Sequence, residues 1–592
     1  MKLSEIGPAT AWRTAAIIPL LTMCLCAQTT PQSRTITGQR MRAVVENGKL
    51  VSLENRATGE QYLRAGAADL LPLGVRYKTD RQNQWAGAEG VPVAVEDGKD
   101  SVEYEFKALR RKDETFPALF RVRYSLGRSG DLVVKAYCAS ERPGVGEVEW
   151  TLNGINPDLT LILPIRSGVQ IRKTDELMKS GNFLWPVWWK AQLAIAESPR
   201  GGGFYVFGED TDQRFKTLYV ERNDQQHALG FGTQNQAPFD VLTRGQSIEW
   251  HIDAFQGDWR NPAGRFRQWM ETTYHPAETH RSQPAWVKDL QAAVSWTPIF
   301  PKEARPANQP GSSAGQRAVT KELFEKFAAL VTPSKTLLHI PNWRSDPYDQ
   351  FYPRYEPSED FVNFLAWARK KGFRVMPHFN YFAISPASDF YKKFGLFQLR
   401  NPFTGALDGW RWDTEQPVRM AYMNPALPEW RDELVRRIKS VTDRLKLEAV
   451  FLDQTLLNVN DAGGLVEGIS SIEGNLRLHE QLAKALPGVA IGGEGPTEIS
   501  YLYESIGQGH CYPSNSPDTP EQVRTSHPIC AYLFSPYTRF IGYTGKDPLL
   551  VAGFMRAIDG IPTLIGINAG NTNPETAKKI LQRAAPEKPR RR

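Results

Sequence analysis

Two carboxylates occupy matching places in this sequence. Asp453 closes the run Leu447-Glu448-Ala449-Val450-Phe451-Leu452-Asp453-Gln454. Glu494 closes Val489-Ala490-Ile491-Gly492-Gly493-Glu494-Gly495-Pro496. Between them, Ser471–Leu486 has helical periodicity. Strand, helix, strand, with an acid at the carboxyl end of each strand, is a parallel α/β pattern, and that edge carries the chemistry in such folds. An acid pair suits cleavage of a glycosidic bond. One carboxylate attacks the anomeric carbon or activates water, while the other, held protonated, protonates the leaving oxygen. The short Asp453 suits attack, and Glu494, flanked by glycine, suits the proton-carrying role. Neighbouring strands can bring the two to the ~5–5.5 Å used for retention, against ~6.5–9.5 Å for inversion. Glu498, the nearest rival acid, is expected to open the following helix, where a carboxylate favours the helix dipole.

Other polar residues fall at the ends of the neighbouring strand candidates. Asn342, Trp343, Arg344, Asp346, Tyr348, Asp349 and Tyr352 follow Thr336–Ile340. His378, Asn380 and Tyr381 end the run Phe373–Asn380, and Gln454 follows Asp453. His510, Tyr512 and Tyr543 lie further on. Hydroxyl-rich ligands need hydrogen-bonding partners and aromatic platforms, which this set offers. Trp343, Asp346, Tyr348, His378, Asn380, Gln454, His510 and Tyr512 are the substrate-binding candidates of the rim. Trp185 and Trp188, in Asn182-Phe183-Leu184-Trp185-Pro186-Val187-Trp188-Trp189-Lys190, join them. That loop is either one wall of a sugar cleft or an apolar plug, and either role puts it between domains. His339 reads as a core histidine.

These residues need two kinds of scaffold. From Met41 to Pro276 the pattern is β: Ser101–Phe106, Phe120–Tyr124 and Ser247–Ile252 alternate with period two, separated by Gly, Asn and Asp turns. Many short strands so spaced predict an antiparallel β-sandwich. From Trp286 apolar runs alternate with helical segments such as Ser358–Lys371, with Ser358 as N-cap and Gly372 as C-cap, and Pro428–Leu445. Repeated over residues 286–570, this predicts a (β/α)8 barrel. The seventh strand is either Ile529–Phe534 or Arg539–Tyr543. The expected division is a leader over 1–27, a disordered linker over 28–40, the sandwich over 41–276, the barrel over 286–570, and a helix with a basic tail over 571–592.

Composition narrows the function classes. Of 592 residues, 41% are hydrophobic and 23% charged, an ordinary globular balance for two domains. The net charge of +7 sits partly in the terminal Glu587-Lys588-Pro589-Arg590-Arg591-Arg592. No internal basic stripe interleaves with aromatics, which argues against nucleic acid as a partner. Lys2 and Arg13 precede the apolar run Thr14–Ala27, and a polar stretch follows, the form of a cleavable export signal. Secretion or a periplasmic location is therefore expected, with no stable membrane insertion after cleavage. Cys511 and Cys530 are the only near cysteine pair outside the leader, so export permits one disulfide; three buried thiols, with Cys138, is the alternative. There is no phosphate-loop or dinucleotide motif and no zinc-type spacing, so no cofactor or metal is expected.

Several of these segments together carry a resemblance. Asn342-Trp343-Arg344-Ser345-Asp346-Pro347-Tyr348-Asp349-Gln350-Phe351-Tyr352-Pro353 is one marker, and Ala421-Tyr422-Met423-Asn424-Pro425 before a helix containing Trp430 is another. Phe451–Gln454 and Gly492–Gly495 complete the set. The chain resembles bacterial proteins of the domain-of-unknown-function family 6259, related to family 101 glycoside hydrolases, the endo-α-N-acetylgalactosaminidases. The resemblance covers about residues 40–570. It implies a galactose-mutarotase-like sandwich before the barrel, a retaining mechanism, Asp453 as nucleophile and Glu494 as acid/base. The further β domains of the large mucin-acting enzymes are missing.

Three readings follow. The first is an exported retaining glycoside hydrolase acting on an oligosaccharide or polysaccharide. The second is a non-catalytic glycan-binding protein on the same scaffold. The third is a polysaccharide lyase or epimerase with His378 or Tyr512 as base.

Overall fold

The computed structural model describes residues 33–78, 84–301, 319–347, 350–410, 420–567 and 573–584. The chain builds antiparallel β-structure first and a parallel barrel second, as expected. Ser33–Thr37, Met41–Glu46 and Lys49–Asn55 form a three-stranded antiparallel sheet. The expected linker over 28–40 is thus corrected from Ser33 onward: Arg34-Thr35-Ile36 pairs with Ala43-Val44-Val45, and Ile36 is buried. A larger antiparallel sheet, running from Gly74 to Phe255, completes this half. Its strands show the predicted alternation. Val102, Tyr104 and Phe106 on one strand, Phe120, Val122 and Tyr124 on the next, and Val134, Ala136 and Cys138 on a third are buried in one core. Each large apolar side chain so buried contributes roughly 1.5–3 kcal/mol before chain entropy is charged.

The helix Arg260–Tyr274 leads from this half to the barrel. Eight parallel strands follow, numbered here β1 (Ala292–Ser295), β2 (Thr336–Ile340), β3 (Arg374–Asn380), β4 (Ala449–Asp453), β5 (Ala490–Glu494), β6 (Ile506–Gly509), β7 (Arg539–Gly542) and β8 (Thr563–Ile565). They pair in chain order, with β8 returning to β1. The last gap, between β7 and β8, is bridged by the Ile561 N–H on the Phe540 carbonyl and the Gly542 N–H on Thr563 Oγ1. All five residues of β4 and of β5 are buried, which is why both read as unbroken apolar runs. The helix Glu359–Lys371 starts with Ser358 Oγ accepting from the Phe361 N–H, and ends at left-handed Gly372. Both caps are the expected ones.

Two late segments resolve the ambiguity over strand seven. Ile529–Phe534 is a helix, and Arg539–Gly542 is the strand. The short helix expected near Glu498–Ser505 is only a 3-10 turn, Ser500–Leu502, so no α-helix covers the barrel between β5 and β6. The antiparallel half packs there instead. Ile472 and Ile499 of the barrel share a core with Trp185, Trp189 and Phe231. A small antiparallel sheet, Ala383–Ile384, Gly409–Trp410 and Met420–Tyr422, is inserted after β3. Cys138, Cys511 and Cys530 are buried thiols without a disulfide. No helix among the described residues is long and apolar enough to cross a membrane.

Candidate active site

Asp453 and Glu494 are side by side. Leu452 pairs with Gly493 in the parallel register of β4 and β5, so the next residues, the two acids, leave neighbouring strands at the same level. Adjacent strands lie ~4.8 Å apart, and laterally paired residues face the same side of a sheet. Both acids are largely buried, Asp453 at 7% exposure and Glu494 at 8%, so only their tips reach the opening. The glycines of β5 have packing causes. A Cβ on Gly493 would stand 1.9 Å from Glu504 Oε1, and Glu504 is itself fully buried.

Asp453 is held from the β3 side. Asn380, its register partner, donates from Nδ2 to Asp453 Oδ2 at 3.2 Å. His378 Nε2 stands 3.5 Å from the same oxygen. The His378 ring is fixed by stacking on Phe451 (centroids 5.2 Å apart, 22° between planes) and by His339, whose Nε2 is 3.2 Å from His378 Nδ1. Burial holds His339 well below its ordinary pKa, so it meets His378 as a neutral imidazole.

Gln454 links the two acids. It adopts a left-handed conformation (φ 64°), which is uncommon for a non-glycine residue and turns its N–H onto Glu494 Oε2 at 3.1 Å. Its side chain receives Asn380 Nδ2 at 3.0 Å and donates to the Tyr422 hydroxyl at 3.2 Å. Glu494 Oε1 is 3.3 Å from His510 Nε2. Burial pushes the Glu494 carboxyl up, but the charges of His510 and His378 and the Gln454 N–H outweigh it, leaving the group below the ordinary carboxylate value. Burial pushes His510 below its ordinary value despite the attraction of Glu494, and the nearby Lys190 and Arg166 push the same way. At neutral pH the couple is therefore a carboxylate facing a neutral imidazole.

The wall beyond β5 comes from the antiparallel half. Ser167 N–H donates to the His510 carbonyl at 3.1 Å, and the His510 N–H donates to Ser167 Oγ at 2.8 Å. Lys190 is fully buried, with Nζ donating to the carbonyls of Val187 (2.6 Å) and Gly495 (2.9 Å). Burial lowers its pKa to about 7. The partly exposed Trp188 faces His510 at 6.3 Å and carries the Arg166 guanidinium 4.3 Å above its ring.

The expected rim is partly rearranged. Asp453, Glu494, His378, Asn380, Gln454, His510 and Trp188 meet in one place. Trp343 does not present a face: it is fully buried, its indole N–H on the His378 carbonyl at 2.6 Å, because Phe361 and Phe379 pack on its ring. Trp185 is also fully buried, under Lys216 and against Glu498, and so is plug rather than wall. Asp346 lies between Arg344 (3.8 Å) and Arg354 (3.5 Å), where it closes its own loop. Tyr348 lies outside the described residues. Tyr512 packs edge-on against Phe183 at 5.8 Å. Glu498 does not open a helix. It is a buried acceptor for Trp185 Nε1, the Gln192 N–H, Gln192 Nε2 and the Tyr274 hydroxyl, joining the two halves of the chain.

Sequence reasoning missed four neighbours. Trp296, just after β1 and left-handed (φ 52°), brings a partly exposed ring 6.4 Å from His378. Tyr422 arrives on the inserted sheet. Arg166 and Lys190 arrive from the other domain. The Trp-rich loop pointed to Lys190, whereas nothing local marked Arg166.

Residues 246–462 match the family model described as a domain of unknown function, DUF6259. That match runs through β4 and Asp453 and stops before Glu494. No curated protein matches in sequence. Among solved structures, the ligand-free α-N-acetylgalactosaminidase NagBb from Bifidobacterium bifidum aligns over 93% of this chain and 93% of its own, with TM-score 0.64 and 14% identity. The GalNAc complex of the same enzyme aligns over 93% and 92%, with TM-score 0.63 and 14% identity. At that identity the likeness is one of fold, and it extends across sandwich and barrel together.

Proposed function

We propose that this protein is an exported glycoside hydrolase that works by retention, with Asp453 as nucleophile and Glu494 as acid and then base. One observation carries the reading: the two acids leave in-register neighbouring strands at the carboxyl edge of the barrel. Strand spacing starts them closer together than the ~6.5–9.5 Å that inversion needs for an interposed water. Asn380 and His378 orient Asp453 for attack on the anomeric carbon. In the acid range the Glu494–His510 couple would hold one proton, which Glu494 would pass to the leaving oxygen. Glu494 would then take one from water as the glycosyl–Asp453 ester is hydrolysed. The fold likeness to NagBb, an α-N-acetylgalactosaminidase by name, supports an α-linked N-acetylhexosamine as the first substrate to try.

The test is turnover of a panel of aryl α- and β-glycosides by wild type, Asp453→Asn and Glu494→Gln. Both variants are expected to lose at least ~10³-fold in kcat on the cleaved substrate. Added azide should restore Glu494→Gln on substrates with good leaving groups and yield a glycosyl azide of retained configuration. Undiminished turnover by Asp453→Asn would refute the assignment. Export is tested by fractionation: the mature N-terminus should lie just after Ala27.

A further inference from the structure

The wall supplied by the antiparallel half carries two basic groups, Arg166 and Lys190, that form no ion pair among the described residues, although the charge of Glu494 reaches both. Arg166 follows the strand Thr160–Leu163, with the left-handed backbone (φ 55°) that costs a non-glycine residue stability unless its surroundings impose it. Its N–H is tied to the Trp188 carbonyl at 2.8 Å. Its guanidinium lies flat over the Trp188 ring, and Nη1 donates to Asn515 Oδ1 at 2.7 Å and more weakly to the Ser514 carbonyl at 3.5 Å. Nε and Nη2 have no acceptor among the described residues, and neither is among the fully enclosed atoms, so both reach solvent. No carboxylate among the described residues forms an ion pair with Arg166, and Glu494 is the acid whose charge reaches it.

Lys190, on the same wall, has only carbonyl acceptors. A half-enclosed guanidinium without a direct ion-pair partner is costly, and its cost falls when an anion binds it. The Trp188 ring beneath and Asn515 at one edge leave one open fork, the geometry that receives a carboxylate or sulfate through two parallel hydrogen bonds.

We propose that Arg166 is a specificity-determining residue that receives the anionic group, carboxylate or sulfate, of an acidic sugar bound beside Asp453 and Glu494. This deepens the glycoside hydrolase reading and rests on it for the position of the sugar, but its test reads binding. Isothermal titration with glucuronate, galacturonate and galactose 6-sulfate, against galactose and N-acetylgalactosamine, is run on wild type, Arg166→Gln and Arg166→Lys. Wild type is expected to bind at least one acidic sugar tenfold or more tighter than its neutral counterpart. Arg166→Gln should lose that preference while neutral sugars change less than threefold. Arg166→Lys, which keeps the charge without the fork, should fall between. Uronate and sulfate arms separate the two anions.

Equal wild-type affinity for acidic and neutral sugars overturns the proposal without any variant having to fold. So does an equal loss on both classes in Arg166→Gln. If no glycoside is cleaved but the Arg166-dependent preference persists, the hydrolase reading fails and the anion site stands.

Discussion

Lys190 offers a measurement in which structure fixes both the sign and the size of the effect. Its ammonium is fully buried on two carbonyls, and burial lowers its pKa from 10.5 to about 7. In the unfolded chain the same group titrates at its ordinary ~10.4. Between those values the unfolded state holds a proton that the folded state has released, so stability rises with pH, at about 1.4 kcal/mol per unit. Below pH 7 both states are protonated, and the folded state bears the whole penalty, on the order of 4–5 kcal/mol. Lys190→Met keeps the stem and removes the charge, at the cost of leaving the Val187 and Gly495 carbonyls without their donor, about 1–3 kcal/mol each. The variant should therefore match or exceed wild type at pH 6 and fall behind it as pH rises to 9.5. Urea denaturation of the full chain at half-unit steps of pH reads the difference. Curves for the two proteins that stay parallel from pH 7 to 9.5 would refute a buried, depressed Lys190.

Two further outcomes are expected. Because His510 is held below its ordinary pKa, its couple with Glu494 takes up a proton only as pH falls below ~6.5. The basic limb of kcat/KM should then lie in the acid range. In His510→Gln burial acts on Glu494 without that imidazole, and the limb should move to higher pH; a limb that stays in place contradicts the coupling. Gly493→Ala should destabilise the chain by at least ~2 kcal/mol, because its methyl group meets buried Glu504, and a melting temperature within a degree of wild type would contradict that packing.

The pair of acids at the carboxyl edge was legible because both strands are buried on both faces and end abruptly at an acid, so hydrophobicity and chemistry change at one residue. The caps of Glu359–Lys371 were legible for the same local reason. Ile529–Phe534 was ambiguous because six apolar residues bury equally well as a strand or as two helical turns. Trp343 and Trp185 misled because an indole that packs in a core and one that stacks on a sugar have the same sequence signature. Arg166 and the role of Glu498 were out of reach: each depends on how the two domains dock, and no local periodicity encodes a contact between residues more than 300 positions apart.

The barrel lacks a helix between β5 and β6, and the antiparallel half stands in its place. The two domains thus pack as one unit. A barrel expressed from Trp286 onward would open a seam beside Glu494, admit water to Glu498 and lose two cations from the cleft. Exchange of the loops around Arg166 and Trp188 would instead change what the cleft binds while leaving the edge that carries Asp453 and Glu494 unchanged. Ligand preference in such a scaffold can change in the domain that does not carry the two acids.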